Sequence, residues 1–257
     1  MYQSGAFPKR LAEDGSAAHG GGRTNRKRTA LAIAAKPGPA ELTELARHLI
    51  AGDDAFRRAM DARLASGAPP LSVMVDLLAP AARELGRLWD NDDCDLIDVQ
   101  RASGALQRLI CEIAAQTPAR ALAKSPSIFM QATPGERHTL GVDMAETAFR
   151  GMGWRVGRDE TRGFRADLAR EWRDFIGFSL SCDRHVEALA RAIVEARAAS
   201  RNPKLLVVVG GSIFTKRPDL ARKIGADFCV CSAELTVQHA DALVNGSPMS
   251  HIFQKHG

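Results

Sequence analysis

Apolar residues recur every three or four positions in the first half of the chain, a spacing that places them on one face of an α-helix. Leu42, Leu45, Leu49 and Ile50 form the first such face. Three more amphipathic stretches follow, and turns rich in glycine and proline or in acidic residues separate them. The predicted helices begin near residues 39, 53, 72 and 96, and the last one ends near residue 116. Four helices joined by short loops predict a small helical bundle.

Two prolines qualify this prediction for the third helix. The stretch that ends at Pro70 is typical of a break between helices. Pro80 lies inside the third helix and predicts a kink, because proline has no amide hydrogen to donate.

Beyond residue 126 the pattern changes to short apolar strands that alternate with helices. The run from Leu205 to Val209 is entirely apolar, as expected of a central parallel strand that is buried on both faces. The alternation predicts a doubly wound, parallel-sheet α/β domain of the Rossmann-like class, preceded by the four-helix bundle. The predicted strands are 128–131, 155–156, 175–180, 205–209 and 228–231, and the predicted helices are about 138–152, 184–199, 218–223 and 233–244.

These changes of pattern divide the chain into three parts. Residues 1–38 are rich in glycine, serine, alanine and arginine and lack apolar periodicity, so we interpret them as a disordered basic leader. Residues 39–117 are predicted to form the bundle, and residues 126–257 the α/β domain. The net charge is +5, and the leader carries most of it. Its basic run 23–28 indicates contact with DNA or an acidic partner, or else a solvated segment.

Composition excludes several classes of protein. No apolar run is long enough to span a membrane, and the basic start of the chain lacks the apolar segment of a secretory signal. The five cysteines are odd in number and scattered, which favours reduced thiols over a disulfide framework. Aromatic residues make up 5% of the chain, so aromatic platforms for stacked bases are not expected. The composition therefore predicts a cytoplasmic protein with no membrane partner.

A candidate metal ligand follows the first predicted strand. Doubly wound domains bind their ligands at the carboxyl ends of the strands, and His138 lies just after the first of these ends. Imidazole binds transition metals, and the carboxylate of Glu136 is placed to accept the other ring N–H. Gly141 leaves room for a ligand close to the backbone. A histidine in such a loop is commonly an ordinary polar residue, and both interpretations stay open.

Two further segments end strands at the same predicted edge. Ser179 closes the third strand and offers a hydroxyl to a ligand, although serine is common at strand ends. Gly210 and Gly211 follow the fourth strand and allow either the close approach of a flat group or a plain turn. The pair is neither a P-loop nor a dinucleotide fingerprint, because the other residues of those motifs are missing.

In this order, the three segments resemble the signature of the B12-binding domain family, D-x-H-x-x-G … S-x-L … G-G. Glu136 stands in place of the aspartate, and Ser181 in place of the leucine. The resemblance implies that His138 is the lower axial ligand of cobalt and that the displaced nucleotide tail of the vitamin lies in a slot beside the sheet. The cofactor-binding residues that it implies are Glu136, His138, Thr139, Gly141, Ser179, Ser181, Gly210, Gly211 and Ser212, with His185 as a further candidate for the slot.

The bundle carries a second part of the resemblance. Leu85-Gly86-x-x-Trp89 resembles the end of the third helix in cobalamin-binding caps, which implies that Trp89 covers the upper face of the corrin. Packing in the protein core is the alternative for this tryptophan. In MerR-type light sensors of the family a Glu-His pair follows on the next helix, whereas this chain has Val99-Gln100. His48 is a candidate upper axial ligand, with an ordinary surface histidine as the alternative.

A bundle, a B12-binding-like domain and a short basic leader together resemble the AerR/PpaA-type antirepressors of photosynthesis genes. This resemblance rests on residues 136–141, 179–186 and 209–214 and covers roughly residues 40–245. It implies a non-catalytic, light-responsive regulator that binds cobalamin, preferably in the hydroxo or aquo form, and acts on a PpsR/CrtJ-type repressor. Contact with DNA would be indirect or made through the leader.

Three other functions stay open. A corrinoid carrier subunit of a methyltransferase shares the fold and the motifs, and a methyl-transfer assay identifies it. A haem sensor would use His138 as an iron ligand, and its absorption spectrum distinguishes porphyrin from corrin. In an interaction module without a ligand, the substitution His138→Ala would leave the affinity for cobalamin unchanged.

Overall fold

The computed structural model of the chain describes residues 36–117, 121–122, 124–158 and 161–230. Three predicted segments lie wholly or partly outside these ranges. They are the leader except for its last three residues, the whole predicted helix 233–244, and the last residue of the fifth predicted strand. Within them a helical domain precedes an α/β domain with a five-stranded parallel sheet, which confirms the predicted fold class. No helix in the described ranges combines the length and the hydropathy that crossing a bilayer requires.

The helical domain forms because the apolar faces of its helices meet in one core. Its helices are α1 (Pro39–Ala51), α2 (Ala55–Ala65), α3 (Pro70–Val73), α4 (Ala79–Asp90) and α5 (Leu96–Gln116). A capping box starts α5, in which the side chains of Asp95 and Asp98 each accept the backbone amide of the other. The largest fully buried side chains of the core are Phe56, Met60, Met74, Leu77, Leu78, Leu106 and Ile110.

Pro80 is accommodated by a local change of helix type. A π-helical turn (Met74–Leu78) joins α3 to α4, and at its end the amide of Ala79 donates to the carbonyl of Met74, five residues earlier. The wider turn re-pairs backbone groups next to the proline, which has no amide hydrogen. The predicted break is wrong at Pro70, which begins α3. Proline fits there because the amide of a first helical residue has no partner within the helix.

The strands of the described residues form one parallel sheet in the order β2-β1-β3-β4-β5. In this order the chain changes direction across the sheet between β1 and β3, and domains of this kind bind their ligands at that switch point. The elements are β1 (Ser127–Ala132), α6 (Leu140–Gly151), β2 (Arg155–Gly157), α7 (Gly163–Arg170), β3 (Phe175–Ser179), a 3₁₀ turn (Asp183–His185), α8 (Val186–Ala199), β4 (Leu206–Gly210), α9 (Ser212–Lys216), α10 (Leu220–Lys223) and β5 (Phe228–Val230).

All five predicted strands lie at the positions of β1 to β5, but α7 and α9 were not predicted. α7 has eight residues and buries only Phe164 and Leu168, so its apolar pattern is short. α9 has five residues, too few to show a helical period. Both helices lie against the face of the sheet that α8 also covers.

The register of the sheet brings small residues together near its carboxyl edge. Side chains alternate along a strand, so Gly177 and Ser179 of β3 point to the same face. α6 covers this face with Val142 and Phe149. The last two rows of paired residues on it are Ala132–Ser179–Gly210 and Met130–Gly177–Val208.

α6 also connects the two domains. Its Ala148 belongs to the core of the bundle, and its Asp143 accepts a hydrogen bond from the side-chain amide of Gln107 on α5. The helical domain therefore packs against the helix that follows the loop of His138.

Candidate functional site

The loop between β1 and α6 is fastened to the end of β3. Both the amide and the hydroxyl of Thr133 donate hydrogen bonds of 2.9 Å to the carbonyl oxygen of Ser179. The amide of Glu136 donates in turn to the carbonyl of Thr133 at 2.8 Å. Gly135 lies inside this turn with φ of 89°, a conformation that favours glycine. These bonds set the position of the loop relative to the sheet.

The carboxylate of Glu136 is a buried acceptor within this loop. Its side chain is 1% exposed. One oxygen accepts the amides of Arg137 at 2.9 Å and His138 at 3.0 Å, and the other accepts the amide of Ser181 at 3.1 Å. Burial acts to raise the pKa of Glu136, but the bonds from the backbone and ring of His138 and from the amide of Ser181 outweigh it and hold the pKa below its ordinary value. Glu136 is therefore ionised at neutral pH.

The ring of His138 is held at one nitrogen and open at the other. Nδ1 lies 2.6 Å from Oε1 of Glu136, and it is the donor because an ionised carboxylate only accepts. In the neutral ring the lone pair is then on Nε2, where a metal binds. The side chain of His138 is 70% exposed, so a large ligand can reach the ring.

One imidazole is not enough to bind a free metal ion tightly. The described residues contain no group of three or more histidine, cysteine, aspartate or glutamate side chains that could hold a metal. A single oriented imidazole fits a metal whose other donors come from a macrocycle such as a corrin or a porphyrin. The donor set of this edge therefore fits both of the tetrapyrroles considered from the sequence.

The glycines of the three predicted segments bring parts of the chain together. A Cβ at Gly141 would lie 2.9 Å from the hydroxyl of Ser179, so the start of α6 rests on the end of β3. Gly211 has φ of 115°, and a Cβ there would overlap the carbonyl oxygen of Leu180. The close approaches at these glycines are thus made by the chain itself, and their predicted contact with a ligand stays a prediction.

The other predicted residues join the same network. Besides its amide bond to Glu136, Ser181 accepts a hydrogen bond of 3.1 Å from the hydroxyl of Ser212. The ring of His185 packs on the loop of His138, where a Cβ at Gly135 would lie 3.1 Å from its Cε1. The structure therefore unites the segments after β1, β3 and β4 at one edge, as the sequence predicts.

A cavity of about 260 Å³ opens beside this loop. Thr139, just before α6, lines it as a predicted site residue, and Thr133 and Arg158 line it without having been predicted. Both missed residues directly follow the carboxyl end of a strand, a position that could have singled them out. Arg158 pairs with Asp143 and, at 3.2 Å, with Glu146 of α6. The complete lining is Met130, Gln131, Ala132, Thr133, Pro134, Gly135, Glu136, Thr139 and Arg158.

Trp89 lies at the end of α4 and is 45% exposed, which contradicts the alternative that it packs in the core. The next residue, Asp90, forms an ion pair of 2.7 Å with Lys216 at the end of α9. Because α9 begins directly after the glycine pair, the tip of the bundle lies near one of the three site segments. Its predicted contact with the corrin stays a prediction.

The polar partners of His48 are residues of the helical domain. Its Nδ1 lies 2.6 Å from a carboxylate oxygen of Asp53, and its Nε2 lies 4.0 Å from Glu44. Both acidic residues belong to α1 or to the turn after it. These contacts favour the surface histidine over the upper axial ligand, and they include no residue of the sheet edge.

Comparison with known proteins identifies the family to which this edge belongs. One B12 binding domain family matches residues 126–241, and a second B12 binding domain family matches residues 41–111. The chain is a B12-binding-domain protein. The second match falls on the helical domain and the first on the α/β domain, so the two matches follow the order of the domains along the chain.

This B12-binding-domain protein is similar to a curated bacterial protein and to solved structures of corrinoid proteins. It is 25% identical over 179 residues to an uncharacterized 20.5 kDa protein in the bchF-crtJ intergenic region of Rhodobacter capsulatus, with 67% of this chain and 92% of the relative aligned. The monomethylamine corrinoid protein of Methanosarcina barkeri is 13% identical and superimposes with a TM-score of 0.66, over 80% of this chain and 100% of that one. This second likeness shows a shared fold.

The residues of the edge fit the cofactor that the family indicates. Two B12-binding domains indicate a cobalamin. His138 offers one free ring nitrogen, and Ser179 and Gly210 give the neighbouring face of the sheet small side chains.

Proposed function

We propose that this protein binds a base-off cobalamin through Nε2 of His138 and acts as a light-responsive transcriptional regulator. The observation that carries the proposal is the buried carboxylate of Glu136, which holds the exposed ring of His138 by Nδ1. Three backbone amides fix this carboxylate. Such a carboxylate–histidine pair orients a metal ligand and raises its basicity. His48 also has a carboxylate partner, but the side chain of Asp53 is 45% exposed, whereas that of Glu136 is buried.

The surrounding residues have separate tasks in this proposal. Glu136 sets the tautomer and the direction of the imidazole. Ser179 and the glycine pair hold the nucleotide tail beside the sheet, with Ser181, Ser212 and His185 supporting that segment. An alkylcobalamin has a cobalt–carbon bond that light breaks, and in water this loss of the upper ligand would leave the hydroxo or aquo form that the protein binds. The protein itself performs no catalysis and reads the state of the cofactor.

The tip of the bundle reads that state. Trp89 is exposed near the segment after β4, and in this proposal it faces the upper side of the cofactor. A bulky adenosyl group would clash there, so the hydroxo or aquo form is favoured. A difference in affinity between these forms shifts the position of the helical domain and changes the surface offered to a partner.

We propose a PpsR/CrtJ-type repressor of photosystem genes as that partner. The Rhodobacter capsulatus relative lies in the bchF-crtJ intergenic region, and the AerR/PpaA resemblance points to the same repressor. The protein would alter the hold of the repressor on its promoters without reading DNA through its folded domains.

Binding is tested by titrating the full chain with hydroxocobalamin and adenosylcobalamin, in the dark and after illumination, and recording spectra after desalting. The wild type retains hydroxocobalamin, and His138→Ala weakens retention by roughly a hundredfold because the axial bond is lost. His48→Ala is the matched control, and it leaves retention unchanged. EPR of the reduced cobalt shows coupling to a histidine nitrogen in the wild type only. Equal retention by His138→Ala overturns the proposal.

The regulatory role is tested with the purified repressor and a photosystem promoter fragment. Protein loaded with hydroxocobalamin changes the occupancy of the fragment by the repressor, and the His138→Ala protein does not. If the loaded protein does not change the occupancy of the fragment by the repressor, the proposed regulatory role is wrong.

A corrinoid carrier subunit is the second candidate, favoured by the fold shared with the monomethylamine corrinoid protein. The cofactor-loaded protein is mixed with a methyl donor and a methyltransferase, and methylation of the corrinoid is followed spectroscopically. Turnover in this assay selects the carrier over the regulator. A porphyrin spectrum in the protein as isolated selects a haem sensor instead.

A further inference from the structure

The face of the sheet under α6 carries a group of small residues, and the side chain of Met130 covers one of them. Ser179 and Gly177 project to this face from β3, and Gly210 flanks Ser179 on β4. These residues provide little or no side chain, so the surface is low along two rows. Under the proposed function, on which this inference rests, Ser179 and Gly210 hold the nucleotide tail, and Gly177 lies directly behind them.

Met130 occupies the space over Gly177. The two residues are register partners on β1 and β3. A Cβ at Gly177 would overlap Sδ of Met130 and lie 3.0 Å from its Cε. Met130 is 5% exposed, so its side chain leans across the row and closes the inner end of the low surface.

A cavity beside β1 adjoins Met130. The cavity of about 260 Å³ is lined by Met130 itself, together with Ala132, Thr139 and Arg158. Methionine has three rotatable bonds and no branch at Cβ, so it can change rotamer at low cost. The side chain thus has a filled space over Gly177 and an open space beside β1.

We propose that Met130 determines which corrinoids this site accepts, by closing the tail slot until a nucleotide base displaces its side chain into the cavity. The cost of this displacement lowers the affinity for corrinoids that carry a nucleotide tail. A corrinoid without a tail is bound without moving Met130. Met130 is therefore a specificity residue for the lower base and does not contact the cobalt.

The test compares hydroxocobalamin with cobinamide, a corrinoid that lacks the nucleotide, by equilibrium titration of the full chain. Met130→Ala opens the slot, and we expect hydroxocobalamin to bind roughly tenfold tighter while cobinamide binds as before. Met130→Ile keeps the volume but is stiff at χ1, and we expect the reverse change for hydroxocobalamin alone. The measured quantity is the ratio of the two dissociation constants in each variant.

Phe149→Leu is the matched control for loss of core volume. Phe149 belongs to the same cluster but contacts Trp154, with ring centroids 4.8 Å apart, and Trp154 stacks on Phe175 at the start of β3. This substitution removes buried volume next to Trp154 and not over Gly177, so the ratio of dissociation constants stays at the wild-type value. Far-UV circular dichroism verifies that each variant is folded.

The outcomes separate this inference from the proposed function. If the wild type retains no hydroxocobalamin, or retains it independently of His138, the proposed function fails. If retention depends on His138 but both Met130 variants keep the wild-type ratio, Met130 has no role in selection and this inference alone fails. A ratio that changes equally in Phe149→Leu also overturns it, since the effect would then come from general loosening of the core.

Discussion

The carboxyl edge of the sheet and the tip of the bundle differ in how they hold their candidate residues. At the edge, Glu136 is 1% exposed and bonded to three amides and a ring. At the tip, Trp89 is 45% exposed, and its neighbour Asp90 reaches the other domain through an ion pair between side chains that are 54% and 71% exposed. Exposed ion pairs contribute at most about 1 kcal/mol.

This difference suggests a division of labour. Hydrogen bonds within the chain organise the edge, and the proposed function requires this of an axial ligand. The tip can adjust, as a region that discriminates between large and small upper ligands requires. Substitutions should therefore harm folding at the edge and harm ligand discrimination at the tip.

Gly211→Ala should give the largest effect and would break the edge. Alanine at φ of 115° is strained, and its Cβ would overlap the backbone of Leu180, so we expect a loss of about 3 kcal/mol or more in the free energy of unfolding. Gly67→Ala in the helical domain is the control, since Gly67 has φ of 88° but no atom lies within 4 Å of the place that its Cβ would take. Strain alone should cost it about 1 kcal/mol. Urea unfolding followed by circular dichroism measures both, and equal losses would contradict the packing role of Gly211.

Glu136→Gln should give an intermediate effect that depends on pH. The amide has one acceptor oxygen in place of two and no charge, so the three backbone amides lose a charged partner and we expect a loss of about 2 kcal/mol at neutral pH. The pKa of Glu136 in the folded protein lies below its ordinary value, so the carboxylate stabilises the fold fully at a pH above that ordinary pKa. That contribution is lost as the pH falls through the folded pKa.

The free energy of unfolding of wild type and Glu136→Gln is therefore measured from neutral to acid pH. The difference between them should be constant near neutrality and shrink in acid. Glu187→Gln is the control, because Glu187 is a 91% exposed residue of α8, and it should show no such trend. A difference that is independent of pH would mean that the charge of Glu136 is unimportant.

Trp89→Ala should change stability least, and it tests the tip of the bundle. We expect less than about 1 kcal/mol of destabilisation for a residue that is nearly half exposed, with hydroxocobalamin binding roughly tenfold weaker. Trp172→Ala is the control. Trp172 is 54% exposed and donates to Asp174 just before β3, at the opposite end of the strand from the site. Weakened binding in both variants would show that Trp89 has no special position.

The elements that bury a long apolar face were predictable from the sequence. Two examples are the unbroken apolar run that forms β4, which is buried on both faces, and the apolar face of α1, which repeats with the helical period. α7 and α9 were missed because each is too short to show a period. The π-helical turn at Met74–Leu78 was missed because its buried apolar residues also fit an ordinary helix, and the change of hydrogen bonding next to one proline leaves no pattern of its own.

The candidate site was predictable as a set of segments but not as a network. The order of strand ends places His138, Ser179 and Gly210 at one edge. No spacing in the sequence shows that Glu136 also binds the amide of Ser181, 45 residues away. Nor does it show that Met130 fills the space over Gly177, because such contacts depend on strand order and side-chain rotamers.

The three tryptophans differ in their surroundings. Trp154 is 2% exposed between Phe149 and Phe175, whereas Trp89 and Trp172 are about half exposed. Fluorescence emitted from the aromatic stack should therefore be blue-shifted and should move to longer wavelength only when the α/β domain unfolds. Emission from Trp89 should instead be quenched when a coloured cofactor docks. A single chain thus contains separate optical probes of folding and of ligand binding.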